Sequence, residues 1–101
     1  MAVTCASADR VLTASISGEV DHHGAKEIMW ELDRYLERDM PRKLTIDMSG
    51  VTFMDSSGIA VVLRAHRRML QLEGGLTVTN VPKQAQKVFQ AAGLGRLIRF
   101  Q

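Results

Sequence analysis

Phe53-Met54-Asp55-Ser56-Ser57-Gly58-Ile59 decides how this chain folds, because its two flanks carry different periods. Upstream, Lys43-Leu44-Thr45-Ile46-Asp47-Met48 alternates apolar and polar residues, the period of a strand. Downstream, Ile59, Val62, Leu63, His66, Met69 and Leu70 recur at helical spacing. The Asp, Ser and Gly between them favour a helix start, where side chains or bare backbone satisfy the orphan N–H groups of the first turn. A serine at such a junction is exposed, sits in a field that favours negative charge, and carries a phosphate without unfolding its surroundings. Ser56 and Ser57 are therefore candidate switch residues.

Towards the N-terminus, Val3 to Ser7 and Val11 to Ser17 read as strands joined by a tight turn around Ala8-Asp9-Arg10, an antiparallel hairpin. Gly18-Glu19-Val20-Asp21-His22-His23 then leads into a helix with apolar positions Ala25, Ile28, Met29, Leu32, Tyr35 and Leu36. Trp30 falls off that stripe, beside Lys26, Asp33 and Glu37, and Pro41 stops the helix. Towards the C-terminus, Gly74-Gly75 ends the second helix and Leu76 to Thr79 forms the next strand. Pro82 suits the first position of a third helix, whose apolar face is Ala85, Val88, Phe89 and Ala92. Gly93 suits a left-handed C-terminal position, Leu94 folds back on the last turn, and Leu97 to Phe100 is a short final strand or tail. The order β-β-α-β-α-β-α-β predicts an α/β fold: a mainly parallel mixed sheet with an N-terminal antiparallel hairpin, packed by three or more helices.

The chain's 101 residues suit a single domain spanning 1–101, with one hydrophobic core. Apolar content of 46% and charged content of 24% are those of an ordinary globular sequence. A net charge of +2 is too small to argue for a nucleic-acid partner, and Arg64, Arg67 and Arg68 read as a solvated helix face. No apolar run reaches the length of a membrane span, and the N-terminus lacks the basic and apolar regions of a signal peptide. The single Cys5 excludes an internal disulfide and fits a cytoplasmic setting, as a small core or edge residue.

Two motifs coincide at this separation: Gly18-Glu19-Val20-Asp21-His22-His23 before the first helix and Phe53-Met54-Asp55-Ser56-Ser57-Gly58-Ile59 before the second. Together with Gly93-Leu94 and Ile98-Arg99-Phe100 they resemble the STAS family, in particular the anti-sigma-factor antagonists of its sporulation sigma-F branch. The resemblance implies a non-enzymatic partner of an ATP-bound anti-sigma factor that is also a serine kinase. Unphosphorylated, such a protein binds the anti-sigma factor and frees the sigma factor; phosphorylated on the first serine of Asp-Ser-Ser-Gly, here Ser56, it lets go until a serine phosphatase resets it. ATP and magnesium would belong to the kinase, and the chain itself would need no cofactor, membrane or nucleic acid and act as a monomer. A general-stress or stressosome partner-switching module is the alternative within the family. Two departures stand out. Family members continue into a C-terminal amphipathic helix beyond the position of Gln101, without which an apolar patch would be uncovered. Val81 also replaces the hydroxyl cap expected before Pro82, weakening that helix start by about 1 kcal/mol.

Glu19 and Asp21 end one strand and Asp55, Ser56, Ser57 and Gly58 end its presumed neighbour, the edge of a parallel sheet where ligands gather. With His22 and His23 they form the expected partner-binding surface, Glu19 and Asp21 meeting a basic group of the partner. Asp21 and Ser56 could equally be plain helix caps, with Glu19 solvated. Asp55 is expected to order the helix start, Ser57 to cap or bond the backbone, and Gly58 to allow close approach. His66 reads as a half-buried residue. Adjacent histidines rarely converge on one metal ion, and no other residue completes a familiar ligand spacing. A serine hydrolase is disfavoured because Gly-x-Ser-x-Gly is missing and no third triad member stands out.

Overall fold

Leu12, Ala14 and Ile16 alternate with Thr13, Ser15 and Ser17, which makes one face of a strand apolar, and that face is buried. The computed structural model describes residues 3–101. Its elements are β1 (Val3–Ala8), β2 (Val11–Val20), α1 (His22–Asp39), β3 (Lys43–Met54), α2 (Ser57–Gln71), β4 (Gly75–Thr79), α3 (Lys83–Ala91), a 3-10 turn (Leu94–Arg96) and β5 (Arg99–Phe100). The strands lie side by side in sequence order; β1 is antiparallel to β2 and the remaining pairs are parallel. The expected element order, mixed sheet and N-terminal hairpin are all present.

Each parallel connection steps one place in the same direction, so right-handed crossovers put α1, α2 and α3 on one face of the sheet. There Leu12, Ile16, Leu44, Ile46, Met48 and Val78 meet Ile28, Leu32, Leu36, Val61, Val62, Met69 and Phe89 in one core. Burying each large side chain contributes roughly 1.5–3 kcal/mol. The hairpin turns on Asp9 and Arg10, both left-handed at φ 52° and 65°, the pair of angles whose twist matches the flanking strands. Arg10 also ties the hairpin to the α1–β3 connection: its carbonyl accepts from Arg42 N–H at 2.8 Å and its guanidinium donates to the Met40 carbonyl at 3.3 Å. α1 ends before Pro41, with Met40 left-handed and its N–H donating to the Leu36 carbonyl at 2.9 Å. Gly93 is left-handed at φ 69° and Leu94 is buried, as the sequence leads one to expect.

The structure corrects five expectations. β3 is longer than the alternating stretch Lys43 to Met48 and runs to Met54, where β2 continues beside it to Val20. On α2 the buried line is Gly58, Val61, Val62, Ala65 and Met69, while Ile59 and Leu63 are half-buried and Leu70 is 60% exposed; His66 is half-buried, as expected. Small residues sit on the contact line because the helix lies close to the sheet; larger ones flank it. The left-handed residue after α2 is Glu73, at φ 56°, not a glycine. Gly74 serves close approach instead, since a Cβ there would collide with the Arg42 carbonyl oxygen. Pro82 is the N-cap of α3 rather than its first helical residue: its ψ of 155° is extended, and its carbonyl accepts from Gln86 N–H at 2.9 Å. Finally, Arg64 and Arg68 are not merely solvated. Arg64 bonds Asp33 of α1 at 2.6 and 3.0 Å and Arg68 approaches Glu37 at 3.7 Å, while Arg67 remains exposed.

Beside the last residue, Val81, Phe89 and Phe100 line an open apolar groove of about 300 Å³, with the two rings 5.2 Å apart. Cys5 lies half-buried on edge strand β1, and burial pushes its thiol up to about 11.

Candidate partner-binding and phosphorylation site

The carboxyl ends of β2 and β3 project together beyond the rest of the sheet. β4 pairs with β3 only as far as Asp47↔Thr79, whereas β2 and β3 stay paired through Glu19↔Phe53 and Val20↔Met54. The result is a two-stranded ribbon whose far end carries both motifs. Asp55 N–H donates to the Val20 carbonyl at 3.2 Å, which sets Asp21 and Asp55 on adjacent strand ends. Glu19 and Phe53 are both exposed at their shared register position.

Asp21 caps α1, its Oδ1 accepting from Gly24 N–H at 2.8 Å. Gly24 lets that first turn lie against the strand end, since a Cβ there would come within 2.7 Å of the Glu19 carbonyl oxygen. His22 and His23 open the helix and are exposed; His23 Nε2 faces Glu27 Oε1 at 3.5 Å. Among the described residues no three His, Cys, Asp or Glu side chains converge as a metal site, and no helix is long and apolar enough to cross a membrane.

At the second motif Asp55 organises the turn. Its Oδ1 accepts from Ser57 N–H at 2.7 Å and its carbonyl accepts from Gly58 N–H at 3.1 Å. The Ser56 carbonyl in turn accepts from Ile59 N–H at 3.1 Å. Ser56 occupies the N-cap in a helical conformation (φ −62°, ψ −14°), and its side chain makes no capping bond among the described residues. An N-cap hydroxyl needs extended backbone to reach back to its own helix, and Ser56 lacks it. The hydroxyl is exposed and the plain-cap alternative for Ser56 does not hold. Ser57 takes part through its backbone N–H; its side chain is half-buried. Asp55 thus already holds the place at the start of α2 where an anion would otherwise bind. Gly58 is buried against Met54: a Cβ there would overlap the Met54 Sδ and lie 2.5 Å from its Cγ.

All eight residues singled out from sequence lie at this one end of the molecule. Sequence reasoning missed Gln84, at the start of α3, whose carboxamide pairs with the Met54 backbone through two hydrogen bonds of 2.8 and 2.7 Å. It also missed Phe53 as an exposed aromatic within the site. The alternation of β3 breaks after Met48, where Val51 and Met54 are the next buried residues, so no local signal marks Phe53 or Gln84.

The family model described as the STAS domain matches residues 3–101. An anti-sigma F factor antagonist of Lysinibacillus sphaericus is 32% identical over 78 residues, which cover 77% of this chain and 67% of the relative. The solved structure of the anti-sigma factor antagonist SpoIIAA in its unphosphorylated form superposes with a TM-score of 0.83 at 26% identity, covering 99% of this chain and 88% of that one. That of the Bacillus cell fate determinant SpoIIAA in the phosphorylated form gives 0.74 at 26% identity, with 99% and 91% covered.

Proposed function

The chain belongs to the STAS domain family, and from that premise we propose that it is an anti-sigma-factor antagonist working by partner switching. Unphosphorylated, it binds an anti-sigma factor that is also a serine kinase, and so frees a sigma factor of the sporulation type. Phosphorylated on Ser56, it lets the kinase go, and a serine phosphatase restores it. The exchange takes place in the cytoplasm. The observation that carries this reading is the exposed Ser56, whose side chain makes no capping bond among the described residues, at the ribbon end that also bears Glu19, Asp21 and Asp55.

The chain's part in the chemistry is to present an oxygen. Ser56 Oγ attacks the γ-phosphorus of ATP held with magnesium by the kinase, the bond to ADP breaks, and the serine proton passes to a base of the kinase. Its own residues supply docking: Glu19 and Asp21 attract a basic group of the partner, flanked by His22 and His23. Asp55, Ser57 and Gly58 hold the turn that offers Ser56.

Phosphoserine adds roughly −1.5 to −2 charges at neutral pH. Because Asp55 already satisfies Ser57 N–H and Gly58 N–H, the new phosphate gains little from its own helix. It projects outward, among carboxylates, into the surface that the partner occupies. A like-charge and desolvation penalty of about 4 kcal/mol there weakens binding roughly a thousandfold with no change of fold.

The test is to incubate the protein with Mg·ATP and the anti-sigma factor of its own organism, then record intact and peptide masses. One phosphate on Ser56, lost in Ser56→Ala while that variant still binds, is the expected result. The absence of both phosphate and binding would remove the reading.

A further inference from the structure

We propose that Gln84 is a positioning residue for the phosphoacceptor turn, holding Ser56 at the height at which it is offered to the kinase; the phosphoacceptor part of this rests on the reading of Ser56 above. Beyond Asp47 the β4-facing edge of β3 has no strand beside it among the described residues. At its last residue the Gln84 carboxamide takes the place of that strand. Met54 N–H donates to Gln84 Oε1 at 2.8 Å, and Gln84 Nε2 donates to the Met54 carbonyl at 2.7 Å. On the other edge the next peptide is held by β2, through Asp55 N–H and the Val20 carbonyl. The backbone entering the Asp55-Ser56-Ser57-Gly58 turn is therefore clamped from both sides, by β2 and by α3.

The clamp reaches Ser56 through Met54. The Met54 side chain is fully buried and fills the space directly under Gly58, so moving the Met54 backbone moves the first turn of α2 with it. Gln84 itself is exposed apart from this pairing, which means it fills no part of the core. Its truncation opens no cavity, so the fold should survive and the positioning effect can be read directly. Two hydrogen bonds from one carboxamide to the N–H and C=O of a single residue, on successive peptide groups, also fix its position more than a single bond would. A loosened acceptor hydroxyl reduces the rate of in-line phosphoryl transfer, which depends on alignment, more than it reduces docking.

The experiment uses Gln84→Ala, with Gln90→Ala on the exposed side of the same helix as control. Hydrogen exchange followed by NMR reads the Met54 to Ile59 amides; transfer from Mg·ATP by the organism's own anti-sigma factor kinase reads kcat and KM. Gln84→Ala is expected to speed exchange of the Met54 amide and of the turn at least about tenfold, and to lower kcat about tenfold with KM within about twofold. Gln84→Glu is a second check. Its carboxylate accepts from Met54 N–H but opposes the Met54 carbonyl, and protonation restores the donor. The Met54 and Ser56 amide shifts should therefore titrate towards wild type as pH falls. Exchange and kcat within twofold of wild type in Gln84→Ala would overturn the proposal, as would the same effects in Gln90→Ala. Wild-type protein that accepts no phosphate on Ser56 would instead remove the functional reading and Gln84's phosphoacceptor role, and the exchange result alone would then decide whether Gln84 holds the turn.

Discussion

Replacing Gly58 by alanine puts a methyl group where the Met54 thioether now lies: the new Cβ would overlap Sδ and stand 2.5 Å from Cγ, against an ordinary contact of about 3.5–4 Å. Met54 is fully buried and cannot swing into solvent, so it must repack against neighbours that are themselves buried. Overpacking of this kind costs about 1–3 kcal/mol. Alanine recovers up to about 1 kcal/mol of helix propensity; from the middle of the overpacking range, about 2 kcal/mol, the net loss is about 1–2 kcal/mol, roughly 5–15 °C in Tm for a domain of this size. Urea unfolding of Gly58→Ala, Met54→Ala and the double variant closes a cycle. Met54→Ala alone should cost about 2–5 kcal/mol. The double variant should cost at least about 1 kcal/mol less than the two singles added together, because the clash vanishes once the thioether is gone. A neutral or stabilising Gly58→Ala, or strict additivity, would refute the close-approach reading and leave the glycine without a packing reason.

Three further outcomes are expected. Glu19→Lys and Phe53→Ser, both at exposed paired positions on the ribbon, should each weaken anti-sigma-factor binding at least about tenfold with Tm unchanged; unaltered titration isotherms would take these residues out of the interface. Ser49 N–H at 2.9 Å, with help from the Asn80 amide at 3.2 Å, holds the Asp47 carboxyl below its ordinary range. A depressed folded-state pKa contributes stability above the unfolded value of about 3.9 that is lost as pH falls through the folded value. The urea midpoint of Asp47→Asn should therefore fall less than that of wild type between about pH 5 and pH 2, and parallel curves would count against the assignment. Glu73 is left-handed at φ 56°, so Glu73→Gly should raise stability by about 0.5–1 kcal/mol, read as a higher urea midpoint at unchanged slope.

The amino-acid sequence by itself determined the order of elements, because period and punctuation are local. Alternation in Val11 to Ser17 and in Lys43 to Met48 sufficed for two parallel strands, and Pro41 and Gly93 sufficed for their helix ends. It also determined the Asp-Ser-Ser-Gly turn, since a strand that gives way to a helix through Asp55 leaves few other conformations, and with that the end of the sheet at which Glu19, Asp21 and Ser56 meet. The line of burial on α2 was another matter. Hydropathy favours large residues such as Leu70, but the helix lies close enough to the sheet that Gly58 and Ala65 take the contact line and Leu70 is left outside. At the end of α2 the left-handed position falls on Glu73, whose N–H and that of Gly74 close on the Leu70 and Met69 carbonyls, while Gly74 is taken up by its close approach to the Arg42 carbonyl, 32 positions away. The length of β3 depended on how far β2 runs beside it, and the pairing of Gln84 with Met54 on where α3 begins; no residue near either partner announces it. Tertiary structure alone decided these, because each is a contact between chain segments whose separation is fixed only once the whole sheet and its helices have packed.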